Sequence, residues 1–333
     1  LLKELNNPPQ VKDFETGKSS PAYQLTVANA LWGQKGYEFK KDFLDLTKKS
    51  YGAGLEEVDF AKPDDARKTI NDWVATQTKD KIKDLIGKGV LDSSTRLVLT
   101  NAVYFKSNWA NTFTKEATAD GQFKLGPDSK VIVGVAVNDS VAHVRKESVT
   151  VPMMHQTTSM GYIETDDFQA LEMPYKQDVL SMTVFLPKKA DGLAAFEKTL
   201  SADNLTKWLG LIKNEQVKVT LPKFTFTREF GLKDTLAAMG MKDAFDPAKA
   251  DFSGMTEKEK LFISAVIHKA FVAVDENGTE AAAATAVAMA AAANGHRPSE
   301  IKEFTADHPF VFIIRHKPSG EILFIGRLAN PKE

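Results

Sequence analysis

Among residue types that do chemistry, the chain offers the histidines His143, His155, His268, His296, His308 and His316, and it contains no cysteine. That absence excludes a thiol nucleophile, thiolate-ligated zinc and a disulfide framework. No Gly-x-Ser-x-Gly elbow, His-Glu-x-x-His pair or phosphate-binding glycine loop occurs. His308 and His316 flank an apolar run, where a structural role outweighs a metal pair, and nothing supports a Ser-His-Asp triad. What stands out instead is residues 278–293, GTEAAAATAVAMAAAA, with Glu280 as the sole charge. Alanine is the best helix former, so one reading is an Ala-rich helix. As a strand, Thr279, Ala281, Ala283, Thr285, Val287 and Met289 share one uncharged face, with Glu280, Ala282, Ala284, Ala286 and Ala288 on the other. A segment entering the middle of a packed sheet needs such an inward face. A flexible Ala-rich linker would share the lack of charge.

The elements that must position this stretch are mixed. Residues 23–32, 96–105, 161–175 and 180–186 read as strands. Residues 217–226 form another, with Pro222 at a bend or bulge. Residues 41–51 have helical spacing. Residues 63–86 form the clearest helix, with Pro63 suited to its first turn and Asp64 and Asp65 favouring its N-terminus. Residues 193–211 and 232–239 are expected to be helical, the latter stopped by Gly240. The order of elements predicts α+β. At 333 residues and 43% hydrophobic, the chain can bury a large core. A formal net charge of −1 argues against a nucleic-acid footprint. No apolar run approaches a membrane span, and cytoplasm and extracellular space both stay open.

Glu276-Asn-Gly-Thr-Glu-Ala-Ala-Ala-Ala-Thr285 resembles the hinge of the reactive-centre loop of inhibitory serpins. Asn101-Ala-Val-Tyr-Phe-Lys-Ser-Asn-Trp109, Ala250-Asp-Phe-Ser-Gly-Met255, Val266-Ile-His-Lys-Ala270, Ala306-Asp-His-Pro-Phe310 and Leu323-Phe-Ile-Gly-Arg-Leu328 also resemble serpin signatures, in serpin order. The resemblance implies one serpin domain over 1–333, with a large mixed or antiparallel central sheet A, sheets B and C, surrounding helices and an exposed loop at 276–298. The family's first three helices and one strand have no counterpart, so the domain reads as N-terminally incomplete. Residues 129–148 depart from the pattern as an unusual insertion, either an extra hairpin arm or an error of gene prediction.

The resemblance also implies roles. Glu276, Gly278, Thr279, Glu280, Ala281, Ala282, Ala283, Ala284 and Thr285 would be the hinge. Glycine at 278 suits a change of backbone direction. Trp109, Lys223 and Glu276 match the breach at the top of the sheet, although Trp109 also reads as an ordinary core aromatic. The Lys223–Glu276 pair, if largely exposed, would stabilise by only about 0–1 kcal/mol. Asn101 and His268 match the shutter pair, against the plainer reading of a satisfied core histidine.

Family spacing puts the reactive bond at Ala292–Ala293, with Met289, Ala290 or Ala291 as alternatives. Arg297 would serve poorly because Pro298 follows it. A small bait residue implies a serine protease of elastase-like or other small-pocket specificity, or a cysteine protease. The implied protein is a monomeric suicide-substrate inhibitor, not an enzyme, needing no cofactor, metal, nucleic acid or membrane. The rivals are a non-inhibitory serpin (carrier, chaperone or storage protein) and an inactive truncated one. Sequons occur at Asn138, Asn204 and Asn277. A glycan on Asn277 would obstruct the hinge.

Overall fold

Alternating burial sets the strands. After a short antiparallel pair, β1 (Gln10–Lys12) and β2 (Ser19–Pro21), β3 (Tyr23–Gln34) runs on through Gly33. Helix α1 (Lys41–Tyr51) and β4 (Leu55–Val58) follow. Helix α2 (Pro63–Gln77) begins as its sequence dictates, with Pro63 in the first turn and Asp64 and Asp65 behind it. It stops at Gln77, short of the expected residue 86, because Lys79 and Asp80 adopt φ of 53° and 61°. The apolar spacing beyond it belongs to an irregular segment packed on the same core. Ile82 and Leu85 are fully buried. The Thr78 hydroxyl accepts from the Ile82 amide, and the Asn71 side chain makes reciprocal bonds with the Ile86 backbone.

Next come β5 (Leu97–Asn108), β6 (Ala119–Lys124), β7 (Ile132–Val137) and β8 (Ser140–Arg145). The last two pair with each other as an antiparallel ladder inside the 129–148 insertion. Then follow β9 (Ser148–Glu164), β10 (Phe168–Pro174) and β11 (Leu180–Pro187). The expected single helix at 193–211 is two, α3 (Leu193–Glu197) and α4 (Ala202–Leu211). Ser201 divides them in extended conformation, its hydroxyl capping α4 by accepting from the Asn204 amide. Beyond β12 (Lys213–Pro222), Pro222 ends the ladder and Lys223 separates it from β13 (Phe224–Gly231). The chain closes with α5 (Lys233–Ala238), β14 (Ala265–Asp275), β15 (Gly278–Thr279), β16 (Lys302–Thr305), β17 (Phe310–His316) and β18 (Ile322–Leu328).

This computed structural model describes residues 5, 7–12, 19–51, 54–126, 132–137, 140–145, 147–257, 260–279 and 300–332. The chain divides into two units. The first comprises Leu1–Gln24, Lys106–Thr225 and Ala273–Glu333; the second comprises Leu25–Phe105 and Phe226–Val272.

The first unit is built on the sheet β16-β12-β9-β10-β11-β17-β18, with β6 added on β9. Phe168, Phe185 and Phe196 pack with Trp208 beside Leu205 and Ile313, an aromatic group that excludes water by area and by edge-to-face geometry. In the second unit, β14 pairs in parallel with β5, from Ala265↔Val98 to Phe271↔Tyr104. β3 pairs in parallel with β4. Trp32, Phe60, Ile70, Val74, Ile82 and Leu85 form its core under α2, and the buried indole of Trp32 donates to the Thr100 hydroxyl at 2.9 Å.

Candidate functional site

In the first unit the ends of β14 and β5 no longer pair with each other; β15 lies between them. Gly278 stands opposite Asn108 and Thr279 opposite Ser107 on one side, with Asp275 and Val274 opposite them on the other. The start of the alanine-rich tract is therefore already a strand, and Thr279 is fully buried. The turn that delivers it is held by Asp275, whose Oδ1 accepts from the Asn277 and Gly278 amides at 2.8 and 3.2 Å. Asn277 is itself buried, which leaves no room for a glycan in this state. Gly278 has φ of 157°, and a Cβ there would meet the Ser107 carbonyl oxygen at 2.1 Å and the Asn108 Cα at 2.7 Å. Only glycine admits so close a backbone approach.

Glu276 lies beneath this turn, only 3% exposed. Lys223 Nζ donates to its two carboxylate oxygens at 3.0 and 2.8 Å, and the Thr118 hydroxyl donates at 2.9 Å. Burial is the strongest single influence on this carboxyl and pushes it up. Hydrogen bonds from Lys223, from its own backbone amide and from Thr118, with the charge of Lys223, outweigh it and hold the group below 4.5. The condition under which this pair would be weak, large exposure, is not met on the glutamate side. Its main chain is anchored as well: the Phe113 amide donates to the Glu276 carbonyl and the Trp109 amide to the Asn277 carbonyl, both at 2.8 Å.

Trp109 is buried and stacks on Tyr175 at 4.6 Å and 12°, while its indole N–H reaches the Asp275 carbonyl at 3.0 Å. The Tyr175 hydroxyl shares a 2.6 Å hydrogen bond with Thr279 Oγ1, and burial pushes this phenol far up. Tyr175, Thr118 and Asp275 were not singled out from the sequence. The one signal available was that a tyrosine or threonine next to a strand end, if buried, must find a partner for its hydroxyl. Tyr175→Phe would leave Thr279 Oγ1 buried without one. The expected result is a loss of about 1–2 kcal/mol and faster hydrogen exchange at the Gly278 and Thr279 amides, read by mass spectrometry.

A second cluster belongs to the second unit. His268 of β14 and Asn101 of β5 are register partners. His268 Nδ1 lies 2.5 Å from Asn101 Oδ1; since that oxygen only accepts, Nδ1–H donates. Asn101 Nδ2 in turn donates to Asn29 Oδ1 on β3, giving a polar relay across three strands, and Phe230 stacks on the His268 ring. Burial lowers the His268 pKa from 6.5. The unfolded chain therefore binds this proton more readily than the folded one. Stability from this group is present above pH 6.5 and is lost as pH falls through the lower folded value. Chemical denaturation between pH 7.5 and 5 should show that loss in the native chain and its absence in His268→Gln.

Among the described residues no group of three or more potential metal ligands occurs, and no helix is long and apolar enough to cross a membrane. Glu280, Ala281, Ala282, Ala283, Ala284, Thr285, Ala292 and Ala293 lie outside the described residues.

The architecture is α+β, with two parted strand ends holding a third chain segment between them. The chain matches the Serpin (serine protease inhibitor) family over residues 1–331. Leukocyte elastase inhibitor of Equus caballus is 42% identical over 342 residues, covering 99% of this chain and 84% of its own length. An uncharacterized serpin-like protein of Thermococcus kodakarensis is 43% identical over 321 residues, covering 96% and 69%. Among solved structures, uncleaved ovalbumin superposes with a TM-score of 0.78 at 29% identity, over 94% of this chain and 75% of that one. The chain belongs to the serpin family and has the serpin fold.

Proposed function

We propose that the chain is a suicide-substrate inhibitor of an elastase-like serine protease, acting as one serpin domain and as a monomer. The observation that carries this reading is β15. Gly278 and Thr279 already add a strand between β14 and β5, so the sheet accepts the start of the tract. The uncharged face of Ala281, Ala283 and Thr285 can follow.

Residues 276–298 are then the reactive-centre loop, with Glu276 and 278–285 as its hinge. The protease's serine attacks the Ala292 carbonyl, the amine of Ala293 leaves, and an acyl-enzyme forms. Insertion competes with the water that would release it. Each residue that joins the ladder adds hydrogen bonds that stabilise by about 1 kcal/mol net apiece, and no proline or inward charge opposes entry between 279 and 289. Such stored-strain release by loop insertion is a general serpin device. Trp109, Lys223 and Glu276 gate the opening at one end. Asn101 and His268 form the polar pair that must exchange partners as the strands separate. No cofactor is required, because the chemistry is the protease's own.

The test is incubation with an elastase-type serine protease, with a papain-type cysteine protease as a second arm, read on denaturing gels and by mass spectrometry. The expected result is a covalent complex with the serine enzyme and a released peptide beginning at Ala293. Cleavage without a complex would refute inhibition of that enzyme. A different new N-terminus would move the bond to Met289, Ala290 or Ala291.

A further inference from the structure

In the second unit, α5 (Lys233–Ala238) ends in a turn that carries two methionines, Met239 and Met241. The stop has the pattern of a Schellman cap. Gly240 takes a φ of 111°, its amide donates to the Ala237 carbonyl at 3.1 Å, and the Met241 amide donates to the Leu236 carbonyl at 2.9 Å. The turn stands clear of its surroundings, since a Cβ added at Gly240 would meet no atom within 4 Å. Met239 is 79% exposed and Met241 39%. The chain has nine methionines, of which Met289 lies outside the described residues. The remaining six, Met153, Met154, Met160, Met173, Met182 and Met255, are buried, none more than 8% exposed. We propose that Met239 and Met241 are a site of reversible oxidation by peroxides, at which Met239 reacts first and Met241 couples the reaction to the helix end.

The thioether sulfur donates an electron pair to one peroxide oxygen, the O–O bond breaks, and the second oxygen leaves as water after taking up a proton. Sulfur is oxidised by two electrons to the sulfoxide and hydrogen peroxide is reduced by two. A dissolved peroxide meets a sulfur only where solvent does, so the buried methionines react only when their surroundings open. No cysteine competes for the oxidant. Met239 is already surrounded by water, and its sulfoxide disturbs no packing. Met241 differs. It stands two residues past the helix cap, the position whose side chain ordinarily packs back on the residue here occupied by Leu236, and its half-burial fits that contact. Leu236 and Ala237 in turn lie against the core of Phe245, Met255, Leu261 and Ile263. A polar sulfoxide at Met241 disfavours the contact and loosens the last turn of α5. Exposure also opens both sites to methionine sulfoxide reductases, which makes the change reversible. The inference is independent of the protease inhibition proposed above.

Hydrogen peroxide added to the folded protein alone, followed by digestion and site-by-site mass spectrometry, tests the site. Met239 should oxidise at least about tenfold faster than any of the six buried methionines, in line with their exposures, with Met241 between. In urea the rates should converge. The two epimer-specific sulfoxide reductases, supplied with a thiol reductant, should return Met239 to the thioether in the folded protein. Met241→Gln places a polar group of similar length at that position and should speed hydrogen exchange at the amides of residues 240 and 241. Met239→Gln and Met241→Leu should leave those amides protected. A buried methionine that keeps pace with Met239 in the folded protein, a Met239 sulfoxide that the reductases leave in place, or native exchange in Met241→Gln would each overturn the proposal.

Discussion

Replacing Gly278 by alanine is expected to drive the first loop residues out of the sheet and to suppress covalent trapping while leaving cleavage intact. The added Cβ would sit 2.1 Å from the Ser107 carbonyl oxygen and 2.7 Å from the Asn108 Cα. Both are main-chain atoms of β5, so no side-chain rotation relieves the contact. Overpacking in a side-chain core costs about 1–3 kcal/mol; here the cheaper response is to give up β15. That forfeits the pairing of Gly278 with Asn108 and of Thr279 with Ser107, and with it the 2.6 Å bond from Thr279 to Tyr175. A loop that cannot seat its first two residues starts insertion late and loses the race to water. Complex yield against an elastase-type protease should fall about tenfold or more, on the rule that each 1.4 kcal/mol of differential barrier is a factor of ten. The amides of residues 278 and 279 should exchange faster. Undiminished complex yield with protected amides would show that the close approach is dispensable.

At Gly278 and Thr279 the strand agrees with the two-residue alternation read in the sequence, whereas the hinge role of Glu276 and residues 278–285 came only through the resemblance, and 280–285 lie outside the described residues. Thr279 occupies the buried position the alternation gave it. The pairing of Lys223 with Glu276, 53 residues apart, came only through resemblance, since no local rule links them. What neither source conveyed was burial. The carboxylate of Glu276 is enclosed because the main chain at Trp109 and Phe113 folds over it, a tertiary fact with no sequence period. Tyr175 escaped notice for the same reason: its partners, Trp109 and Thr279, are distant in the chain. The helix overrun at 78–86 has a different cause. Apolar spacing reports which side chains reach the core, not how the backbone gets there, and an irregular segment pinned by Thr78 and Asn71 satisfies the same pattern. The break at Ser201 was readable, because a serine three residues ahead of Asn204 is a capping arrangement that should outweigh apolar continuity.

Removing the lysine of the Lys223–Glu276 pair should be more damaging than removing the charge of both partners. In Lys223→Met, Glu276 keeps only the Thr118 hydroxyl and its backbone contacts while remaining 3% exposed. Breaking a fully buried pair costs about 3–5 kcal/mol; with Lys223 about a third exposed, a loss of about 2 kcal/mol is expected at pH 7. Lys223→Met combined with Glu276→Gln should recover most of it, because the amide needs no counter-charge. The pH dependence separates this from a simple packing loss. In the native chain the Glu276 carboxyl lies below 4.5, so its contribution is present above that value and disappears as pH falls through the lower folded value. In Lys223→Met, burial is left with less opposition and the carboxyl moves up, so the variant loses a penalty as it becomes protonated. The two stability curves should converge on acidification, so that in urea unfolding the gap seen at pH 7 narrows as pH falls below 7 and closes only below the native carboxyl's own lowered value. A gap that stayed constant across that range would assign the effect to the lysine's methylene packing and not to its charge.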